Sequence, residues 1–163
     1  KERGVPVEFY EAVERGILDS APGGALAGYP FIGIKITVEE VKYSDTDSND
    51  VAYVIAASQA FQDAAKRAKP VIQEPVMKVE VVTPEQYMGD ITGSLSSKRG
   101  QIESIEDRGM NKAIKAMVPL AELFGYTTEL RSMTQGRGSS TMEFDHYEVV
   151  PGNVEKEIVE SRK

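Results

Sequence analysis

The sequence predicts an α+β protein built as two successive units, and three observations predict it. Before Pro70, apolar residues recur at helical spacing in two segments. From Met77 onward, alternating and helical patterns succeed one another in the order β-α-β-β-α-β. The two regimes meet in the proline-bearing stretch KPVIQEPV, where neither period continues.

The elements follow in order. Pro6 suits a first helical turn, where a missing N–H costs nothing. Phe9, Val13 and Ile17 then repeat at helical spacing, and Pro22-Gly23-Gly24 ends the helix. Ile32, Ile34, Ile36 and Val38 alternate with Gly33, Lys35 and Thr37, which predicts a half-buried strand. After Glu39-Glu40 the apolar parity passes to Val41 and Tyr43, which predicts a bulge. The acidic stretch KYSDTDSND, Lys42 to Asp50, precedes a second helix with a stripe of Val54, Ala57, Phe61, Ala64 and Ala68. Asp50 falls in its first turn and Lys66 and Arg67 in its last, complementing the helix dipole. Ser48 or Asn49 is the expected N-cap.

In the second unit Met77, Val79 and Val81 alternate as a strand. A helix follows from Pro84 through Tyr87, Met88, Ile91 and Leu95. QIESIEDRGMNKAIKAMV reads as two strands around a turn at Asp107-Arg108-Gly109. PLAELFGYTTELRSM reads as a helix through Leu120, Leu123, Phe124, Thr127 and Leu130, and SSTMEFDHYEVV as a closing strand. That order is the ferredoxin-like split βαβ arrangement. A short helix from Asn153 to Ser161 trails it. The first unit offers two amphipathic helices but a single strand, too little sheet to cover both apolar faces.

At 163 residues the chain accommodates one ordinary domain or two small ones. Its 40% hydrophobic and 28% charged residues describe a globular protein, and no apolar run is long enough to span a bilayer. Cysteine is absent, which removes disulfides and thiolate metal sites, and a lone His146 excludes any site that needs two imidazoles. A net charge of −7 argues against binding nucleic acid by bulk electrostatics. Basic residues cluster locally at Lys66-Arg67-Lys69, Lys98-Arg99, Lys112-Lys115 and Arg131 with Arg137. A solvated face is the plainer reading of each.

No motif carries catalytic chemistry. Asp45, Asp47 and Asn49 imitate the start of an EF-hand loop, but Asp50 stands where glycine is needed and Ala56 where glutamate is needed. GDITGSLSSKRG lacks the Gly-Lys-Ser/Thr ending of a phosphate loop, and GRGSS suits a helix-terminating turn. His146 lies mid-strand and leaves no nucleophilic triad to assemble. The inner strand NKAIKAMV has no aromatic residue on which a base could stack.

The stretches GALAGYP, KPVIQEPVMKVEVVTPEQYMGD, SSKRGQI and VPLAELFGYTTELRSMTQGRGSSTMEF resemble the carboxy-terminal part of elongation factor G, in the right order and over nearly the whole chain. LFGYTTELRSMTQGRGSSTMEF is the most specific of them. The resemblance implies that residues 1–73 are the later part of that factor's fourth domain, a partial ribosomal-protein-S5-like α/β domain whose other strands lie upstream. Residues 74–151 would be the ferredoxin-like fifth domain, and 152–163 a helix packing toward the fourth.

It also implies that Tyr43, Ser44, Asp45, Thr46 and Asp47 form the tip that enters the small-subunit decoding centre beside tRNA and mRNA. Asp47 to Asp50 would cap the following helix. Family members typically carry histidine at the position of Ser44. Lys98, Arg99 and Arg137 are the expected contacts to large-subunit RNA near the factor-binding site, by basicity and loop position. On this resemblance the fragment binds no cofactor and hydrolyses nothing; GTP and magnesium belong to an upstream domain. The expected protein is a monomeric, ribosome-bound factor of the bacterial cytoplasm or of an organelle, away from membranes. The alternatives are a specialised paralogue for ribosome recycling or conditional translation, and a stand-alone ferredoxin-like binding module.

Overall fold

A computed structural model of the chain describes residues 5–162. They divide into two compact units, one running to Ile72 and resuming at Pro151, the other spanning Gln73–Val150.

The first unit holds helix α1 (Val7–Ser20), a 3-10 turn at Ala21–Gly23, helix α2 (Asp50–Arg67) and, after the second unit, helix α5 (Gly152–Ser161). Pro6 stands at the N-cap of α1, and the Ser20 hydroxyl closes the other end by donating to the Gly16 and Ile17 carbonyls at 2.8 and 3.0 Å. Ala12, Val13, Tyr53 and Ala57 form the core between the two helices, with Phe9, Ile17, Val41 and Val54 around it. At Gly16 the helices meet backbone to backbone: a Cβ there would lie 2.3 Å from the Val54 carbonyl oxygen. Only glycine permits that approach. On α2 the buried stripe is Tyr53, Ala57, Phe61 and Ala65, so it is rotated from the predicted one and leaves Ala64 and Ala68 exposed. The α5 helix is tied to this unit by Arg162, which donates to the Ala27 carbonyl at 3.3 Å and lies 4.3 Å above the Tyr29 ring.

The strand predicted at Ile32–Val38 is not formed. Residues 34–44 have no assigned secondary structure, Gly33 breaks the segment with φ of 63°, and Ile32 and Ile34 are 57% and 48% exposed. A strand exists only by pairing, and among the described residues every ladder lies in the second unit.

That unit comprises β1 (Gln73–Pro84), a 3-10 turn, α3 (Met88–Ser97), β2 (Gln101–Arg108), β3 (Asn111–Pro119), a 3-10 turn at Leu120–Leu123, α4 (Tyr126–Met133) and β4 (Ser139–Val149). The sheet is antiparallel throughout, in the order β2-β3-β1-β4. This is the ferredoxin-like arrangement that the sequence predicts. Val79, Val81, Ile114 and Val118 on one face pack against Ile91, Leu95 and Leu130 of the helices. Arg108 pairs with Asn111, so the hairpin loop is Gly109-Met110, with Gly109 supplying φ of 67°. Asp145 is bulged out between Phe144, which faces Met77, and His146, which faces Val76.

The predicted helix from Leu120 is broken. Phe124 is extended and Gly125 left-handed with φ of 78°, so α4 restarts at Tyr126. Leu123, Tyr126 and Leu130 are buried while Phe124 is 81% exposed, which replaces the predicted stripe.

Gly16→Ala tests the close helix contact. Overpacking of this kind costs about 1–3 kcal/mol. Hydrogen exchange of the α1 and α2 amides is expected to accelerate, with the second unit's strands unchanged.

Candidate functional site

The acidic loop is built on α2 and closed at its base by hydroxyl groups. Ser48 N–H donates to the Ser44 carbonyl at 3.0 Å, and Ser44 N–H donates to the Ser48 hydroxyl at 2.9 Å. The Tyr53 hydroxyl donates to the Lys42 carbonyl at 2.8 Å, which commits its one hydrogen. In the 3.0 Å contact between the Ser48 and Tyr53 hydroxyls, Ser48 is therefore the donor. The result is a directed chain from Ser44 N–H through Ser48 and Tyr53 to the Lys42 carbonyl, in which each bond polarises the next. It staples the incoming strand of the loop to the first turns of the helix.

Asn49 is the N-cap, accepting the Ala52 N–H at 2.9 Å, while Asp50 pairs with the Arg15 guanidinium of α1. The cap is thus one residue and not the whole run Asp47 to Asp50. Asp45, Thr46 and Asp47 form an exposed turn, Tyr43 and Ser44 are half-buried, and the Ser44 hydroxyl lies 3.1 Å from that of Thr46. The Tyr43 ring stands 6.0 Å from Phe9, which anchors the loop to the core of the unit. As members of this brace, Ser48 and Tyr53 escape a reading of the sequence. Their signal is faint, a tyrosine in an apolar stripe five residues after a serine.

Lys98 and Arg99 lie together just past α3. Arg99 has φ of 58°, left-handed for a residue with a side chain, and Gly100 N–H closes the turn on the Leu95 carbonyl at 2.8 Å. The Arg99 guanidinium makes two bonds to Glu74, at 2.6 and 2.9 Å, and a third to Glu122 at 3.0 Å. The Glu74 bonds raise its pKa further still, against a smaller opposing effect of burial. Lys98 sits 2.8 Å from Glu129, which also accepts from the Ser94 hydroxyl at 2.6 Å. Lys98 first and Ser94 second hold that carboxyl below its ordinary range. Burial, aided by the charge on Glu129, pushes the Tyr126 phenol up to about 12.

Arg137 lies elsewhere, exposed on the turn between α4 and β4. Thr134, fully buried, builds that turn: its hydroxyl donates to the Leu130 carbonyl at 2.7 Å and accepts the Gly138 N–H at 2.9 Å. Gly136 N–H donates to the Arg131 carbonyl at 2.8 Å, and Gln135 and Gly136 are both left-handed. The three predicted RNA-contact residues therefore occupy two places, one an ion-pair network and the other an open turn.

The remaining sheet face is a charged lattice. Arg108 bonds Glu80 at 2.8 Å, Lys115 bonds Glu106 at 2.8 Å, and neither β1 nor β3 contributes an aromatic ring. Among the described residues no group of three or more acidic or histidine side chains is placed to hold a metal ion. No helix there is long and apolar enough to cross a membrane.

The fold defines the class: a ferredoxin-like domain joined to a helical unit that presents a hydroxyl-braced acidic loop. Comparison with known proteins gives the family. Residues 1–69 match the family described as "Elongation factor G, domain IV", and residues 71–158 match "Elongation factor G C-terminus". A crystal structure of a protein from Thermus thermophilus superimposes with a TM-score of 0.81 at 39% identity. That match covers 97% of this chain and 24% of the other, so the chain spans about a quarter of its relative's length. The chain belongs to the elongation factor G family and corresponds to its carboxy-terminal region.

Tyr53→Phe removes one oxygen from the brace. It leaves the Lys42 carbonyl without its donor, at a cost of about 1 kcal/mol. Amide exchange at Ser44 and Ser48 is expected to speed up, while amides beyond Ala57 keep their protection.

Proposed function

We propose that this region is the ribosome-engaging end of a translation elongation factor, acting mechanically while GTP and magnesium are handled by another part of the full-length protein. The observation that carries the reading is the braced loop. A short polar turn, Asp45-Thr46-Asp47, is held out from a capped helix by a closed chain of hydroxyl bonds. Such a loop keeps its shape when pushed, which suits a wedge entering the decoding centre behind moving tRNA and mRNA. The second unit docks the wedge to large-subunit RNA. Family membership supports both roles. The cytoplasm, or the matrix of an organelle, is the compartment where such a factor works.

The region itself carries out no GTP hydrolysis on this reading. The whole factor promotes GTP-dependent translocation as a monomer. A specialised paralogue, serving ribosome recycling or conditional translation, is the second reading. Ser44 favours it: both its backbone groups bond Ser48, and its hydroxyl faces Thr46. A serine so placed presents neither a ring nor a charge to the RNA.

Ser44→His in a full-length factor carrying this region tests the reading. Single-turnover translocation is expected to accelerate by about 1–2 kcal/mol of barrier, the scale of a charge-assisted hydrogen bond. GTP hydrolysis is expected to stay constant. If neither this variant nor deletion of Ser44 to Thr46 alters translocation in a factor that translocates, the loop is a helix cap and nothing more. Phosphate release from GTP by the isolated chain, abolished by a point mutation within it, contradicts the non-catalytic assignment.

A further inference from the structure

The pattern of ion pairs across the second unit singles out one turn. Lys98, Arg99, Arg108, Lys112 and Lys115 are each within ion-pair distance of a carboxylate of the same unit. Lys78 stands opposite Glu143 in the β1–β4 ladder. What remains is Arg131 and Arg137, both exposed and, among the described residues, without an ion-pair partner. They flank the same turn, which the Gly136–Arg131 and Arg137–Thr134 backbone bonds of 2.8 and 3.0 Å hold closed.

The turn is built against the chain's local preference. Gln135 sits at φ of 52°, a conformation that costs a residue with a side chain about 1–2 kcal/mol. Thr134 commits a buried hydroxyl to it, and a Cβ on Gly138 would meet that hydroxyl oxygen at 2.9 Å. Strain retained in this way marks surfaces that are used. Arg131 in the last turn of α4 also suits the negative end of the helix, but that does not account for Arg137 or for the strain.

We infer that Arg131 and Arg137 form a rigid two-point clamp for the phosphate backbone of a structured RNA. Guanidinium forks bind phosphate oxygens in pairs, and fixed spacing suits a polymer whose phosphates are themselves fixed. The recognition is of backbone alone, since the sheet offers no aromatic platform on β1 or β3. The paired charges elsewhere leave the contact confined to this turn, so few phosphates are neutralised. Lys98 and Arg99 serve instead to hold α3, α4 and the start of β1 together. The inference rests on the ribosome reading for the identity of the RNA, and on the structure for the residues.

The test is equilibrium binding of the 163-residue chain to purified bacterial large ribosomal subunits and, separately, to random-sequence double-stranded RNA, across a salt series. Arg131→Gln with Arg137→Gln is expected to lower affinity about tenfold near physiological salt and to flatten the log–log salt slope by about 2. Lys98→Gln is expected to leave that slope unchanged, and the thermal transition of the double variant is expected to match the parent. Subunit binding that the double variant retains in full overturns the clamp and leaves the ribosome reading standing. Arginine-dependent binding to double-stranded RNA without binding to subunits upholds the clamp and removes the ribosome as its partner. Binding to neither overturns the clamp, as does an equal loss from Lys98→Gln.

Discussion

The side chain of Tyr53 carries both the packing of the first unit and the shape of its loop. Its ring lies 4.6 Å from Phe9 in the core between α1 and α2, and its hydroxyl ends the chain of bonds that begins at Ser44. That position requires the two helices to meet closely, which Gly16 permits by leaving the Val54 carbonyl room. Loop, brace and core are therefore one mechanical object. The Arg15–Asp50 pair adds a second tie between α1 and the loop's end, but both side chains are largely exposed and such a pair contributes little stability.

The second unit achieves rigidity by a different route, with its cations turned inward on its own carboxylates. Arg99 joins the end of α3 to Glu74 at the start of β1 and to Glu122 beyond β3, and Lys98 with Ser94 joins α3 to Glu129 on α4. The sheet's open face is pinned similarly by Glu80, Glu106, Arg108 and Lys115. A surface so neutralised has little charge left to attract a polyanion broadly, which agrees with a net charge of −7. Contact with RNA then falls to the few groups left over, and specificity comes from where the fold puts them.

How much of this is legible in the sequence depends on whether the cause is local. The ends of α2, the turn at Gly109 and the order of the second unit's elements follow from caps, glycine and hydrophobic period, and all are readable. The Ile32–Val38 alternation is readable as a pattern, but alternation supplies no partner strand. On α2 a tyrosine does not stand out as an apolar residue, so the stripe that the sequence suggests misses Tyr53 and Ala65. Gly125 is the visible warning that one helix becomes a turn and a shorter helix. Least legible are the partners of Lys98 and Arg99. Basicity beside a loop suggests RNA, whereas their carboxylates come from residues far along the chain that only the fold brings near. Whether RNA also reaches these two residues is decided by binding, not by pairing.

The account rests on the stiffness of the loop, and a change that spares every loop residue tests it most directly. Tyr53→Phe in a full-length factor alters only the brace. Single-turnover movement of mRNA, followed alongside GTP hydrolysis, is predicted to slow severalfold while hydrolysis keeps its rate. Movement at the parental rate, with Ser44 and Ser48 amides shown to exchange faster, would contradict the account, because the loop would then work without being stiff.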